Sequence, residues 1–277
     1  MVNKKILTTA MICTLLSQQS FANEQQGLYL RGSHYNQFLN HSSSLKITKS
    51  AVKDNSITNF TINDRSETKI ESQKISEYKP NYNPPFAASL AFGYSGDFKD
   101  NSYEVELEGA YSQIKVNNIG LIDGPMVLFY RNKSEAYGVV MNHKQIENLS
   151  VMANIYHHWK NERFSFSPYI GAGIGATRMK MFEEASIAPA YQLKAGLNHR
   201  IAEDVYINVG YKHFGVVGNN FDFKTEKAEI KEVTKGGNTV QEIGDFKSIN
   251  ELTTISNSFF GTHSIEIGMT IHFGSKE

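Results

Sequence analysis

Apolar and polar residues alternate most regularly along residues 189–215 of this chain. Two runs with a period of two, at about residues 189–200 and 205–215, flank a short acidic turn at residues 201–204. Successive side chains of a β-strand point to opposite faces, so each run has one apolar face and one polar face. The pattern predicts a β-hairpin.

Six further segments show the same alternation, which gives eight predicted strands in all. The predicted strands cover residues 27–34, 85–94, 103–111, 149–159, 164–176, 189–200, 205–215 and 262–273. Beyond residue 22 the chain has no run of 18 apolar residues, so no transmembrane helix is predicted. Strands are therefore the only expected route across a membrane.

The connections between these strands alternate in length. Those that follow strands two, four and six are short, at about residues 96–100, 160–163 and 201–204. Those that follow the odd-numbered strands are longer, and the three longest lie at about residues 35–84, 114–148 and 216–257. This alternation places the short turns at one end and the long loops at the other, as in bacterial outer-membrane barrels. A soluble lipocalin-like barrel, the alternative for this strand pattern, has no reason for such asymmetry.

We therefore predict an all-β fold, an eight-stranded antiparallel transmembrane β-barrel of outer-membrane type with long extracellular loops and short periplasmic turns. On this register Leu193 faces lipid and Gln192 faces the lumen, so an arginine should cost more at position 193 than at position 192. The polar loops at 35–84 and 216–257 are expected to be mobile and to bury little. Residues 114–148 and the first long loop leave room for extra hairpins.

Residues 1–22 have the composition of a signal peptide. Lys4 and Lys5 precede a mainly apolar run, and Ser20-Phe21-Ala22 is a small-x-small sequence that signal peptidase can cleave. We predict cleavage after residue 22, which leaves a barrel domain over residues 23–277 that is exported through the periplasm to the outer membrane. A retained anchor is the alternative, but the apolar run is too short to span a bilayer core of roughly 30 Å as a helix.

Charge and cysteine content exclude several classes of function. The chain has 28 Lys plus Arg and 28 Asp plus Glu, so no strong field points to nucleic acid as a partner. The only cysteine, Cys13, lies in the predicted leader. The mature chain would then have no disulfide, thiol chemistry or cysteine-based metal site. No cofactor and no metal site are predicted.

A glycine-rich stretch at residues 171–176 formally matches a dinucleotide-binding motif. That motif needs a following helix and an acidic residue about twenty positions further on, where this chain has Tyr191 and Gln192. Its glycines alternate with apolar residues, so we interpret them as small residues on the crowded inner wall of a narrow barrel.

The strand at 149–159 ends in two histidines and the only tryptophan, Trp159. A tryptophan at a strand end is typical of a membrane interface. His157 and His158 are consecutive and point to opposite faces, so they are not expected to share a metal ion.

Charged residues on the polar faces of the strands are the candidate site. Glu104, Glu106 and Glu108 share one face, and aligned carboxylates can serve catalysis or bind calcium, although period-2 alternation alone explains a luminal row. We predict a structural charge network in the lumen, with four residues of each sign that pair with one another. Its predicted members are Arg31, Glu104, Glu106, Glu108, Lys194, Arg200, Lys212 and Glu266.

Six segments of the chain carry a family resemblance, at residues 28–32, 167–175, 181–183, 191–197, 217–221 and 265–268. In these segments the chain resembles the major surface antigens of Anaplasma, Ehrlichia, Wolbachia and Neorickettsia type bacteria. The resemblance covers the predicted strands and fades in the long loops. It implies an outer-membrane barrel on an intracellular bacterium, with loops that face host immunity and with some members that act as porins.

The predicted function is that of a bacterial outer-membrane surface antigen, a barrel that displays loops to the host and serves as a candidate adhesin. Its expected partners are outer-membrane lipid and, through the loops, a host-cell surface or antibodies. A porin or small-solute channel is the alternative, and it needs more strands or a hydrated path past the charges. An outer-membrane enzyme comes third, and we expect no catalytic activity because the sequence contains no local nucleophile or acid–base constellation.

Overall fold

The structure, a computed structural model, describes residues 26–42, 45–49, 59–62, 74–75, 81–98, 101–118, 126–131, 134–141, 145–159, 166–235 and 238–273. Within these ranges the chain forms strands and turns, and no helix is long and apolar enough to cross a membrane. The predicted signal peptide at residues 1–22 lies outside the described residues.

The described residues form fourteen strands. In chain order they are β1 (Gly27–Ser42), β2 (Leu45–Lys49), β3 (Asn59–Ile62), β4 (Lys74–Ile75), β5 (Asn81–Phe98), β6 (Asn101–Asn118), β7 (Met126–Arg131), β8 (Glu135–Met141), β9 (Gln145–Trp159), β10 (Phe166–Met181), β11 (Glu184–Ala202), β12 (Val205–Lys235), β13 (Asn238–Ile243) and β14 (Lys247–His272). The eight predicted strands correspond to β1, β5, β6, β9, β10, β11, β12 and β14.

These eight strands form a closed antiparallel ring in the order β1-β5-β6-β9-β10-β11-β12-β14. The ring closes because β14 pairs with β1, from Tyr29 opposite His272 to Ser42 opposite Phe260. Following paired residues once around the ring leads from Gly27 to Gln37, a displacement of ten residues along β1. Such a displacement tilts the strands of a closed barrel. The predicted eight-stranded barrel is confirmed.

Burial alternates along the barrel strands with the apolar side chains outside. On β11 the outward Leu193 is 51% exposed, whereas its inward neighbour Gln192 is 1% exposed. On β6 the apolar Val105 and Leu107 are exposed while the neighbouring glutamates are buried. A barrel with an apolar outer face and a polar inner face belongs in a bilayer, where acyl chains cover the outer face.

Aromatic side chains mark both rims of this outer face. Toward the end that carries Gly27 and His272, here called the terminal end, the exposed rings are those of Tyr94, Tyr103 and Trp159. Toward the opposite end, here called the loop end, they are those of Phe38, Phe86 and Tyr111. Aromatic girdles occupy the two interfaces of a bilayer, so the apolar belt between these rims is the part that spans the membrane.

The long connections contain more regular structure than expected. β12 and β14 stay paired as far as Lys227 opposite Lys247. On one side β8, β7 and β3 continue the sheet from β12, and on the other β2 and β4 continue it from β14. These segments together are the loop-end sheet.

The expectation that residues 216–257 bury little is wrong, because Phe221 and Phe223 alternate inward along β12 and are buried. The signal was present in the Phe-Asp-Phe sequence, but the polar composition of the surrounding residues obscured it.

Buried apolar side chains fill the loop end of the barrel and the space within the loop-end sheet. This apolar layer includes Leu45, Ile47, Ile114, Leu128, Tyr130, Met179, Phe182, Phe214, Val216, Phe221, Phe223, Ile255 and Phe260. Phe182 enters it from the turn between β10 and β11, where φ is 57° for Phe182 and 66° for Glu183. This left-handed conformation is unfavourable for residues other than glycine. Burial of the Phe182 ring against Phe221, with centroids 6.4 Å apart, offsets that cost.

The facing of β11 can be tested with one arginine placed at two depths on the same face. Leu193→Arg should lower the free energy of unfolding by about 2–4 kcal/mol, because the charge enters the middle of the lipid-facing belt. Ile187→Arg should cost at most about 1 kcal/mol, since Ile187 pairs with Arg178 near the loop end and is 78% exposed.

Equilibrium unfolding and refolding in lipid vesicles measures both costs, and equal costs would contradict the depth assigned to Leu193. Gln192→Arg, the control suggested by the sequence, is unsuitable. The Gln192 side chain donates a hydrogen bond of 2.8 Å to Glu108 and is packed inside the barrel.

Candidate functional site in the barrel lumen

Seven of the eight predicted charged residues meet inside the barrel. They are Arg31, Glu104, Glu106, Glu108, Lys194, Lys212 and Glu266, and all are buried. Strand alternation points each of them inward, and the ring brings β6 opposite β12, so that side chains from opposite walls meet across the narrow lumen. These seven residues are the charge network.

Arg31 on β1 bridges two carboxylates of β6. Its Nη2 lies 2.5 Å from Glu104 Oε2, and its Nη1 lies 3.0 Å from Glu106 Oε2. Its Nε donates a hydrogen bond of 2.9 Å to Thr270 Oγ1 on β14. A buried guanidinium needs hydrogen-bond acceptors for its N–H groups, and these three residues provide them. The same contacts connect β1 to β6 and β14.

Glu108 accepts hydrogen bonds from several strands. Its Oε2 lies 2.8 Å from Lys194 Nζ on β11, and its Oε1 lies 2.9 Å from Lys212 Nζ on β12. Asn154 and Gln192 also donate to Oε2, at 2.9 Å and 2.8 Å. Because β6 and β12 stand on opposite sides of the ring, the pair of Glu108 and Lys212 crosses the lumen.

Glu266 is the least coordinated carboxylate of the network. Its Oε2 lies 3.4 Å from Lys194 Nζ, an ammonium that Glu108 also contacts. Within the described part of the chain neither oxygen of Glu266 accepts a hydrogen bond. Glu266 therefore contributes fewer contacts to the network than Glu108 does.

Arg200 does not reach the centre of the lumen. It lies at the turn between β11 and β12, where its Nη2 donates a hydrogen bond of 2.8 Å to the carbonyl oxygen of Glu203. Its Nε donates to the carbonyl oxygens of Ala202 and Glu203. Arg200 is the last residue of β11 in regular register, opposite Tyr206, so it lies at the terminal end of the barrel, where its side chain reaches the carbonyl oxygens of the turn and not the network.

Tyrosines complete the network, and the sequence interpretation missed them. Tyr29 and Tyr156 donate hydrogen bonds to Glu106, at 3.0 Å and 2.5 Å. Lys212 Nζ lies 4.5 Å from the centre of the Tyr35 ring, a cation–π distance. These tyrosines lie on the inward faces of their strands. The period-2 alternation that located the charged residues could therefore have located the tyrosines too.

The glycines and histidines occupy the places that the alternation predicted. A Cβ on Gly171 or Gly173 would overlap the side chains of Tyr156 or Asn154, so these glycines make room on the inner wall. β10 continues through a turn into β11, and no helix follows it within the described ranges. His158 is buried inside, 3.5 Å from Glu104, while His157 faces outward beside Trp159.

The fold and the lumen together define a class of protein. A closed ring of eight antiparallel strands with an apolar outer face, aromatic rims and a charged interior is an outer-membrane β-barrel. The protein is located in the bacterial outer membrane. Residues 21–270 match a family model described as surface antigen, and the chain belongs to that surface antigen family.

Similar solved structures include three outer-membrane proteins. OprG from Pseudomonas aeruginosa has 14% identity and a TM-score of 0.45, and the match covers 91% of this chain and 100% of OprG. Neisserial surface protein A has 9% identity and a TM-score of 0.39, with coverage of 91% and 100%. A FadL homologue from Pseudomonas aeruginosa has 8% identity and a TM-score of 0.20, with coverage of 90% and 91%. No curated protein matches the chain.

The network predicts unequal costs for two chemically identical substitutions. Glu108→Gln should destabilise the barrel by about 3–5 kcal/mol, because it leaves Lys194 and Lys212 buried without their shared carboxylate. Glu266→Gln is the matched control and should cost clearly less, since only one contact of 3.4 Å is lost. Denaturant unfolding of the barrel in vesicles compares the two variants. An equal or larger cost for Glu266→Gln would contradict the central position of Glu108.

Proposed function

We propose that this protein is a surface antigen and adhesin of the Anaplasma, Ehrlichia, Wolbachia and Neorickettsia type, in which a closed barrel anchors the loop-end sheet for contact with the host. The observation that carries this proposal is that side chains fill the lumen. The charge network crosses the middle of the barrel, and the apolar layer fills its loop end. A barrel with this interior serves as an anchor and leaves the recognition to its loops.

Along β12 the charge network and the apolar layer follow each other without a break. On β12 the charged Lys212 and the apolar Phe214 are consecutive inward residues, and both are buried. Eight strands enclose an interior that side chains alone can fill. The charged and apolar parts together favour a sealed anchor over a general pore.

The loop-end sheet has the internal contacts of a folded platform. The Tyr130 and Tyr137 rings stack with centroids 5.2 Å apart, and the Tyr130 hydroxyl lies 2.8 Å from Thr253 Oγ1 on β14. Lys227 donates a hydrogen bond to Glu135 in an ion pair of 2.5 Å, which raises the pKa of Lys227. A platform held in this way presents its outer side chains in fixed positions, as a recognition surface requires.

Apolar side chains on the outside of this platform support a role in contact with another protein. Ile243, Phe246 and Leu252 are exposed although they lie beyond the apolar belt. Phe246 packs edge-on against Phe129, with ring centroids 5.9 Å apart. The contact between Phe246 and Phe129 forms an apolar patch on a water-facing surface, and such patches are typical of interaction sites. We assign no catalytic role to the chain.

A small-solute channel is the second candidate, and a set of polar atoms inside the barrel favours it. Among the described residues, the buried polar atoms without a hydrogen-bond partner include four on β1 and β14, which are Ser33 Oγ, Gln37 Oε1, Thr262 Oγ1 and Ser264 Oγ. Buried polar groups of this kind are commonly satisfied by ordered water. A continuous water path along this wall would allow small solutes to pass the charge network.

Conductance separates the two candidates. In a planar bilayer the purified barrel should give at most small and rare openings, because charged and apolar side chains occupy the lumen. Liposomes that contain it should admit sugars no faster than liposomes without protein, while a general porin in the same preparation provides the positive control. Steady conductance together with sugar influx would overturn the anchor proposal in favour of the channel.

Labelling of intact cells tests which end faces outward. In a chain with Cys13→Ser, a cysteine at Asp245 near the loop-end sheet should react with a membrane-impermeant maleimide. A cysteine at Glu203, in the exposed turn at the terminal end, should react only after the outer membrane is broken. The reason is that a leader delivers the N-terminus to the periplasm, which places the terminal end inside. The reverse pattern would invert the orientation.

A further inference from the structure

One seam of the barrel wall loses its hydrogen-bond ladder at the level of the loop-end rim. β1 and β5 pair from Gly27 opposite Ser95 to His34 opposite Ala88, and their ladder ends there among the described residues. Both strands continue beyond this point, since β1 pairs with β14 as far as Ser42 and β5 pairs with β6 as far as Asn81. Beyond this point the facing edges of β1 and β5 have no ladder partner among the described residues, while their other edges stay in the sheet.

The sequence of β5 explains why the ladder stops. Continuing the register would place Gln37 opposite Pro85 and Phe38 opposite Pro84. Proline has no backbone N–H and cannot donate to a sheet. The register of β5 against β6 also shifts between Asn83 and Phe86, at the same two prolines. Consecutive residues of a strand direct their backbone groups to opposite edges, so one of the two prolines removes a donor from the edge of β5 that faces β1, and the ladder is not resumed beyond them among the described residues.

The seam lies where the outer face of the barrel meets the headgroup region. Phe38 and Phe86 flank it on the outside and are 54% and 58% exposed, in the aromatic rim. The Phe86 ring also contacts the His34 ring, with centroids 5.6 Å apart, at the last paired position. An apolar chain in the adjacent leaflet would meet these two rings first.

The inner side of the seam lies between the charge network, which Tyr35 contacts through Lys212, and the apolar layer. Tyr35, Gln37 and Ala87 point inward here and are buried, so the seam is closed by side-chain packing alone. Gln37 Oε1 has no hydrogen-bond partner among the described residues. Nearer the loop end, Ile114 on β6 and Phe260 on β14 belong to the apolar layer and lie on the strands that flank β5 and β1. Parting the seam on the loop-end side of His34 would break no ladder hydrogen bond between described residues of β1 and β5, and it would open a path from lipid to the apolar layer.

We propose that the seam between β1 and β5 is a binding site for one acyl chain of a lipid in the loop-end leaflet. The chain passes between Phe38 and Phe86 and reaches the apolar layer, while the lipid headgroup remains at the rim. An added β-strand fits this seam poorly, because the Pro84–Pro85 pair leaves the edge of β5 that faces β1 short of a backbone donor. An acyl chain needs no donors, so the chemistry of the seam selects it.

A photoreactive lipid tests this site directly. The full chain with Cys13→Ser is refolded into phosphatidylcholine vesicles in which part of the lipid carries a diazirine on an acyl chain. After illumination, mass spectrometry locates the labelled residues. The inward residues Tyr35, Gln37 and Ala87 should be labelled in addition to Phe38 and Phe86. Ala190, an inward residue on β11 remote from the seam, should stay unlabelled.

A disulfide across the seam provides the control. With Tyr35→Cys and Ala87→Cys, oxidation should abolish labelling of Gln37, and reduction should restore it. A second pair, Leu30→Cys with Phe92→Cys, joins two positions that are paired in β1 and β5 nearer the terminal end. This disulfide should leave the labelling of Gln37 unchanged. Labelling of Phe38 and Phe86 without any labelling of Tyr35, Gln37 or Ala87 in the unlinked protein would overturn the proposal. If the disulfide does not form, the labelling pattern of the unlinked chain decides.

Discussion

Satisfaction of backbone hydrogen bonds in a medium without water is the constraint on which this structure depends. A strand edge left open inside the hydrocarbon region costs several kcal/mol per unpaired group, so the eight strands must close. The pairing of β14 with β1 provides this closure and fixes the displacement of ten residues, from Gly27 to Gln37, around the ring. Where β1 and β5 leave the ladder, they do so at the rim, the place where headgroups and water can satisfy free backbone groups.

Closure with only eight strands determines what the interior can be. The lumen is narrow, so inward side chains from opposite walls touch, and the polar ones must satisfy one another. Glu108 meets Lys212 from the opposite wall for this reason. Toward the loop end the same inward positions carry phenylalanine and isoleucine, and the polar interior becomes an apolar one. A barrel filled in this way suits the role of an anchor for the loop-end sheet.

Strand alternation made most of this fold predictable, because a period of two assigns every side chain to lipid or to lumen. The same rule located the charge network, apart from Arg200, which lies at the end of its strand and bonds to carbonyl oxygens of the turn. Contacts across the lumen could not be predicted, since they depend on which strands face each other in the closed ring. The extension of β12 and β14 into the loop-end sheet was missed because Phe221 and Phe223 are apolar positions within a polar stretch, and only tertiary pairing shows that they are buried.

Nuclear Overhauser measurements in lipid nanodiscs test most directly the claim of a barrel with lipid outside and a packed network inside. Leu107, Leu193 and Ile265 should show contacts with acyl-chain protons. Glu108, Lys194 and Lys212 should show contacts with one another and none with acyl chains or bulk water. Strong exchange with bulk water along Glu108 and Lys212 would contradict the packed lumen, and acyl-chain contacts at these residues would contradict the register itself.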